Sequence, residues 1–163
     1  MHTLSDLCIQ SNRQPIQKDG LTIHPSFSID IETATVCAFS LDVSAPQPQG
    51  FVVGVEHGRL EVERLEDHRK VVTLWSDTVD WDVRVRVVPS KRGPCRLRFS
   101  HRWKIGGIAE YGLGNYGMLV QHSPDSGSWT GRCSDGDGDA NFDDLIVIAR
   151  MAEDHSGSLA ASS

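Results

Sequence analysis

The sequence predicts an all-β protein, an antiparallel β-sandwich of jelly-roll-like character with about eight to nine strands. Three observations predict it. Short runs alternate apolar and polar residues with a period of two, turn signals fall at close spacing between them, and no segment carries the apolar period of a three-turn amphipathic helix.

Taken in order, Thr35–Val43, Gly50–Val55, Arg59–Leu65 and Val71–Trp75 read as strands, split by PQPQG, EHG and EDH turns. The clearest alternation begins at Trp81, where Trp81, Val83, Val85 and Val87 fall on one face and Asp82, Arg84 and Arg86 on the other. After a turn at Pro89–Pro94, Cys95, Leu97, Phe99, His101 and Trp103 form a second inward row. These two runs read as a hairpin whose arginines share one face. Gly106–Gly117 (GGIAEYGLGNYG) reads as a long loop or bulged strand, and Gly117–Gln121 and Leu145–Met151 as the last strands. The first twenty residues and the tail from 155 to 163 are expected to be weakly ordered around a single domain at 21–154.

A chain of 163 residues can bury a full core without needing metal or disulfides merely to fold. The formal charge of −6 argues against nucleic acid as a partner, but it is unevenly spread. Residues 81–104 hold eight cationic side chains against Asp82 alone, and residues 132–154 hold seven acids against two arginines. Cys8, Cys37, Cys95 and Cys133 form no Cys-x-x-Cys pair, which argues against zinc and leaves disulfides open. There is no basic segment leading into an apolar run, and no apolar stretch of membrane-spanning length. A soluble protein without a membrane partner is expected, with the extracellular compartment left open.

The densest chemical signal is DGDGDANFDD, where Asp135, Asp137, Asp139, Asn141, Asp143 and Asp144 fall within ten residues. Calcium takes six to eight hard oxygens at short range and tolerates irregular geometry. Aspartates packed this tightly repel one another without a cation, and they cannot simply spread apart beside Phe142 and the apolar run from Leu145. Gly136 and Gly138 allow a tight turn. The opposing reading is a solvated acidic turn that holds no metal.

The register decides what kind of loop this is. An EF-hand beginning at Asp135 fails, because Ala140 replaces the required glycine and Ile146 the bidentate glutamate. A register beginning at Cys133 is similar to the cellulosome dockerin loop. It makes a thiol the first ligand and needs a helix where Ile146, Val147 and Ile148 favour a strand. Asp139-Ala-Asn-Phe-Asp-Asp-Leu-Ile-Val-Ile instead resembles the D-x-D-Y-N-D-x-V-V-V pattern of the bacterial two-calcium lectins that bind fucose and mannose. A related pattern precedes the last strand of calcium-associated β-sandwich domains in bacterial surface proteins. The lectin resemblance implies Ca2+ held by Asp135, Asp139, Asn141, Asp143 and Asp144, with Asp137 a further candidate and Phe142 in the place of a tyrosine. It also implies a glycan whose hydroxyls complete the coordination, Asn115 as a ligand from another loop, and room for a homodimer.

Other residues carry two readings each. Trp129, Tyr111 and Tyr116 can stack on sugar rings or serve the fold, whereas Trp81 and Trp103 lie in the apolar phase of their strands. The Arg/Lys row of 81–104 can bind an anion or simply solvate a sheet face. Seven histidines show no metal spacing, and no serine sits in a nucleophile elbow. The functional expectation is a calcium-dependent, non-catalytic carbohydrate-binding protein. Its rivals are a calcium-stabilised structural or assembly domain and a small β-barrel enzyme with a pocket around Glu110, His101 or Tyr116.

Overall fold

The computed structural model describes residues 3–64, 67–78 and 82–154. Trp81 and the tail from 155 to 163 lie outside the described residues, as does Leu65. Helix α1 (Leu4–Gln10) precedes the hairpin β1 (Ile16–Lys18) and β2 (Leu21–Ile23). Then come β3 (Phe27–Ile31), β4 (Thr35–Val43), β5 (Gln49–Glu56), β6 (Gly58–Val62) and the two-residue β7 (His68–Arg69). They are followed by β8 (Val71–Trp75), β9 (Val83–Pro89), β10 (Cys95–Ile105) and β11 (Ile108–Glu110). The course ends with β12 (Gly117–Ser123), β13 (Ser128–Ser134) and β14 (Leu145–Glu153).

The fold is an all-β antiparallel sandwich. One sheet runs β11-β10-β5-β8, with β3 pairing the same strand β10, and the other runs β12-β13-β14-β4-β9-β6-β7. The chain crosses between sheets repeatedly, from β3 to β4, β5 and β6, and again from β8 to β9 and β10. Period-two alternation then points one row of every strand into a shared interior. Phe39 from one sheet meets Phe51 and Phe99 from the other at centroid separations of 6.1 and 5.9 Å. Cys37, Leu60, Val85, Leu97, Leu145 and Val147 close around them.

One expectation changes. The arginine-rich hairpin does not form, because β9 is paired on both edges by β4 and β6 while β10 pairs β5, β3 and β11. No edge of β9 is left for β10, and the two arginine rows end on different sheets. The N-terminal segment contains a capped helix. Thr3 Oγ1 accepts from the Asp6 amide and the Asp6 carboxylate accepts from the Thr3 amide, a reciprocal cap in which both end amides find partners. Leu4, Ile16 and Ile23 form a second small core, against which Leu7, Leu119 and Phe142 pack.

Candidate functional site

Residues 135–144 link β13 to β14, and the loop is seated on its neighbours at both ends. Asp135 and Asp144 are buried, at 1% and 7% exposure, whereas Asp137, Asp139, Asn141 and Asp143 are exposed. Asp144 Oδ2 accepts from the Asp135 amide at 3.0 Å, and Asp135 Oδ1 accepts from the Asp137 amide at 3.0 Å. The remaining oxygen of Asp135 accepts from Gln47 Nε2 at 2.6 Å and Gln49 Nε2 at 3.0 Å. Asn141 Oδ1 accepts from the Asp143 amide at 3.0 Å, and the Asp143 carboxylate pairs with Arg132.

The two loop glycines serve different ends. Gly138 has φ +77°, the left-handed conformation that a tight turn demands. Gly136 is needed for close approach instead. A Cβ there would lie 2.3 Å from the Leu113 carbonyl oxygen and 2.6 Å from the Trp103 ring. The glycine-rich segment 106–117 is thus the bed of the acidic loop, with Gly114 in equally close contact with Gly136. Asn115 ties the two together, donating from Nδ2 to the Gly138 carbonyl at 3.0 Å. Its Oδ1 accepts from the Leu4 amide at 3.3 Å, so the oxygen faces α1. Phe142 anchors the loop in the small N-terminal core, not in the main one.

Beneath the loop lies a buried polar chain. Gln49 Nε2 is committed to Asp135 and to the Gln47 carbonyl, so Gln49 Oε1 accepts from His101 Nε2 at 2.7 Å. His101 is fully buried, and burial pushes its pKa down to about 3, with the Ser134 backbone opposing as the lesser cause. The ring is therefore neutral, protonated at Nε2. Its Nδ1 and Trp103 Nε1 are buried without a hydrogen-bond partner among the described residues. His101, Trp103 and Tyr116 stand within 6.4 Å of one another by ring centroid.

Electrostatically the loop is loaded. Burial raises the pKa of Asp144, helped by the charges of Asp135, Asp143 and Asp137, and opposed by the Asp135 amide. Burial likewise raises that of Asp135, with the Asp137 charge adding to it and the Asp137 amide and Gln47 and Gln49 side chains opposing. The donor types suit a hard cation. The arrangement suits one less fully: among the described residues no group of three or more His, Cys, Asp or Glu side chains is gathered to hold a metal ion. Asp143 and Asn141 are turned to Arg132 and to a backbone amide, leaving Asp137, Asp139 and the free side of Asp144 as the oxygens without a described partner.

The aromatic candidates are also placed. Tyr116 is 4% exposed, with its hydroxyl on the Pro25 carbonyl. Trp129 is half-buried, stacked by His122 at 3.9 Å and flanked by Phe27 at 4.9 Å. Glu110 stands opposite Trp103 at the end of β11. An open groove of about 530 Å3 adjoins the acidic loop, lined by Gln47, Asp77, Lys104, Ile105 and Asp137. Gln47 and Gln49 were legible in the sequence only as part of a PQPQG turn. All four cysteines are free thiols. No helix among the described residues is long and apolar enough to cross a membrane. Comparison with known protein families, with curated proteins and with solved structures returns no match.

Proposed function

We propose that the protein is a non-catalytic β-sandwich domain whose acidic loop takes up calcium, chiefly to order the loop and the groove beside it. The observation that carries this reading is the buried pair Asp135 and Asp144. Each is desolvated, Asp144 feels the charges of Asp135, Asp143 and Asp137, and Asp135 feels that of Asp137, a load that a divalent cation relieves. Asp137 and Asp139 at the rim, with the free side of Asp144, would supply hard oxygens, and solvent the rest. The burial of Asp135 and the internal partners of Asn141 and Asp143 favour a structural ion over one shared with a sugar.

Thermal denaturation in calcium and then in chelator tests this. A ligand at a hundredfold excess over its Kd stabilises by about 2.7 kcal/mol, which moves Tm by several degrees. Asp137→Asn with Asp139→Asn, which keeps shape and removes charge at two exposed positions, is expected to abolish the shift. Identical melting curves in calcium and chelator would sink the proposal.

The groove favours a second reading, calcium-dependent glycan recognition. Its polar wall of Gln47, Asp77, Lys104 and Asp137 offers donors and acceptors to sugar hydroxyls next to the loop. A glycan array in calcium and in chelator separates the readings. Binding lost on chelation supports recognition, and no binding under either condition leaves calcium a purely structural role.

A further inference from the structure

The outer face of the β3-β10-β5-β8 sheet carries a different chemistry, and none of its residues belongs to the acidic loop. Strand β10 presents Arg96, Arg98 and Arg102 to solvent, with side chains two residues apart standing about 6.8 Å from one another along the strand. Most cations of this face have a described occupation. Arg96 lies 3.5 Å from Asp30, Arg102 sits over the Tyr111 ring at 5.7 Å, and Lys104 lies 3.6 Å from Asp77 and over Trp75 at 4.3 Å. Arg98 differs. Among the described residues no carboxylate lies within ion-pair distance of it.

Its rung of the sheet explains why. Arg98 is opposite Ser28 on β3 and opposite Gly54 on β5, and Gly54 is in turn opposite Val71 on β8. The two cross-strand neighbours are a hydroxymethyl group and a hydrogen atom, so the guanidinium overlooks a trough. At Gly54 an added Cβ would meet nothing closer than 3.8 Å, an open floor of backbone. The trough encloses about 320 Å3, and Arg96 and Arg98 reach it together with Ser28 and Glu56, whereas the Lys70 ammonium is held by the Gly58 carbonyl. A guanidinium fork and a hydroxyl over a backbone floor match a tetrahedral oxyanion. Val71, exposed beside Gly54, offers the body of such a ligand an apolar contact.

We infer that this trough is a binding site for a single phosphate or sulfate ester on a small ligand, with Arg98 as its principal contact. Acids limit the site to one oxyanion: Asp30 and Glu56 close one end of the face and Asp77 the other. An extended polyanion such as single-stranded nucleic acid would have to cross them, against an overall charge of −6.

The test is an NMR titration of the arginine Nε–H signals with inorganic phosphate and, separately, inorganic sulfate at low ionic strength, with chloride as control. A saturable shift at Arg98 is expected with at least one anion, and the anion that gives it names the ester. Arg98→Ala is expected to weaken binding about tenfold or more, the loss of a charge-assisted bidentate contact. Gly54→Val keeps every cation but fills the trough, and should weaken binding comparably; Arg84→Ala, on the other sheet, should leave it unchanged. No saturable shift with either anion overturns the inference, as does equal weakening by Arg84→Ala and Arg98→Ala. Binding of a single-stranded oligonucleotide that depends as strongly on Arg102 and Lys104 as on Arg98 also overturns it, in favour of a polyanion track.

Discussion

Strands β9 and β10 begin from nearly the same sequence text, VRVRV and CRLRF, and end in opposite circumstances. On β9, Arg86 is drawn down against the sheet, its side chain only 10% exposed, paired with both Glu61 and Asp154. On β10, Arg98 faces solvent between Ser28 and Gly54. The difference lies in the neighbours that the sheet supplies. Glu61 is directly opposite Arg86 on β6, and Asp154 follows the end of β14, whereas β3 and β5 bring Arg98 no acid. An alternating arginine is therefore a structural ion pair or an available cation according to its rung, and one strand read alone does not distinguish them.

Substitution at these two positions is the sharpest way to break that comparison. Arg86→Ala removes the cation shared by Glu61 and Asp154 in a largely desolvated site, leaving Glu61 its longer contacts to Arg59 and His68, and is expected to cost about 2–3 kcal/mol, read by urea denaturation. Arg98→Ala should change stability by less than about 0.5 kcal/mol in the same experiment. Comparable losses at both positions would remove the distinction drawn between the two strands.

Much of this was legible in the sequence, and the physical reason is uniform. The strands with strict alternation were readable because half-burial writes a period of two, and Thr35–Val43 and Val71–Trp75 fall where the pattern puts them. The inward row of β10, including His101 and Trp103, was equally plain. Strand β13 was not: SWTGRCS carries little apolar alternation, and its place is fixed by β12 and β14 on either side. Helix α1 is too short to show a period, and only its Thr3/Asp6 cap betrays it. Sheet membership was illegible because pairing is a tertiary choice, hence the misread hairpin. At the loop, the clustered aspartates could be found from sequence. Their division into two buried and three exposed members could not, since it depends on Gln47, Gln49 and the 106–117 bed.

The inward faces of the two strands extend the comparison. Val83, Val85 and Val87 on β9 meet only apolar core, but Trp103 on β10 meets the acidic loop through Gly136. Gly136→Ala should therefore cost about 3 kcal/mol, because its methyl group would overlap the Leu113 carbonyl and the Trp103 ring, and backbone cannot yield cheaply. Gly138→Ala has open space and only a left-handed φ to contend with, so about 1 kcal/mol is expected. Chemical denaturation of both variants checks the order. If Gly138→Ala were the worse, turn conformation rather than seating on β10 would govern the loop.

A last effect is a slope, and it isolates the polar end of β10. His101 is neutral in the fold with its pKa pushed down to about 3, while the unfolded chain takes up a proton near the ordinary value of 6.5. The folded pKa is the lower one, so the stability that this histidine contributes is present above pH 6.5 and is lost as pH falls toward 3. Within that window the unfolded state binds one more proton than the native state at this site. The contribution of His101 alone should then fall by about 1.4 kcal/mol per pH unit. His101→Gln can still donate an amide hydrogen to Gln49 Oε1 without titrating. The difference in slope between wild type and His101→Gln, from urea denaturation at several acidic pH values, measures this one site against the background of the carboxylates. Parallel slopes would mean that the imidazole is protonated in the fold as readily as in the unfolded chain. The chain from His101 through Gln49 to Asp135 would then have to be redrawn with a charged ring at its base, a change that no apolar residue of β9 could show.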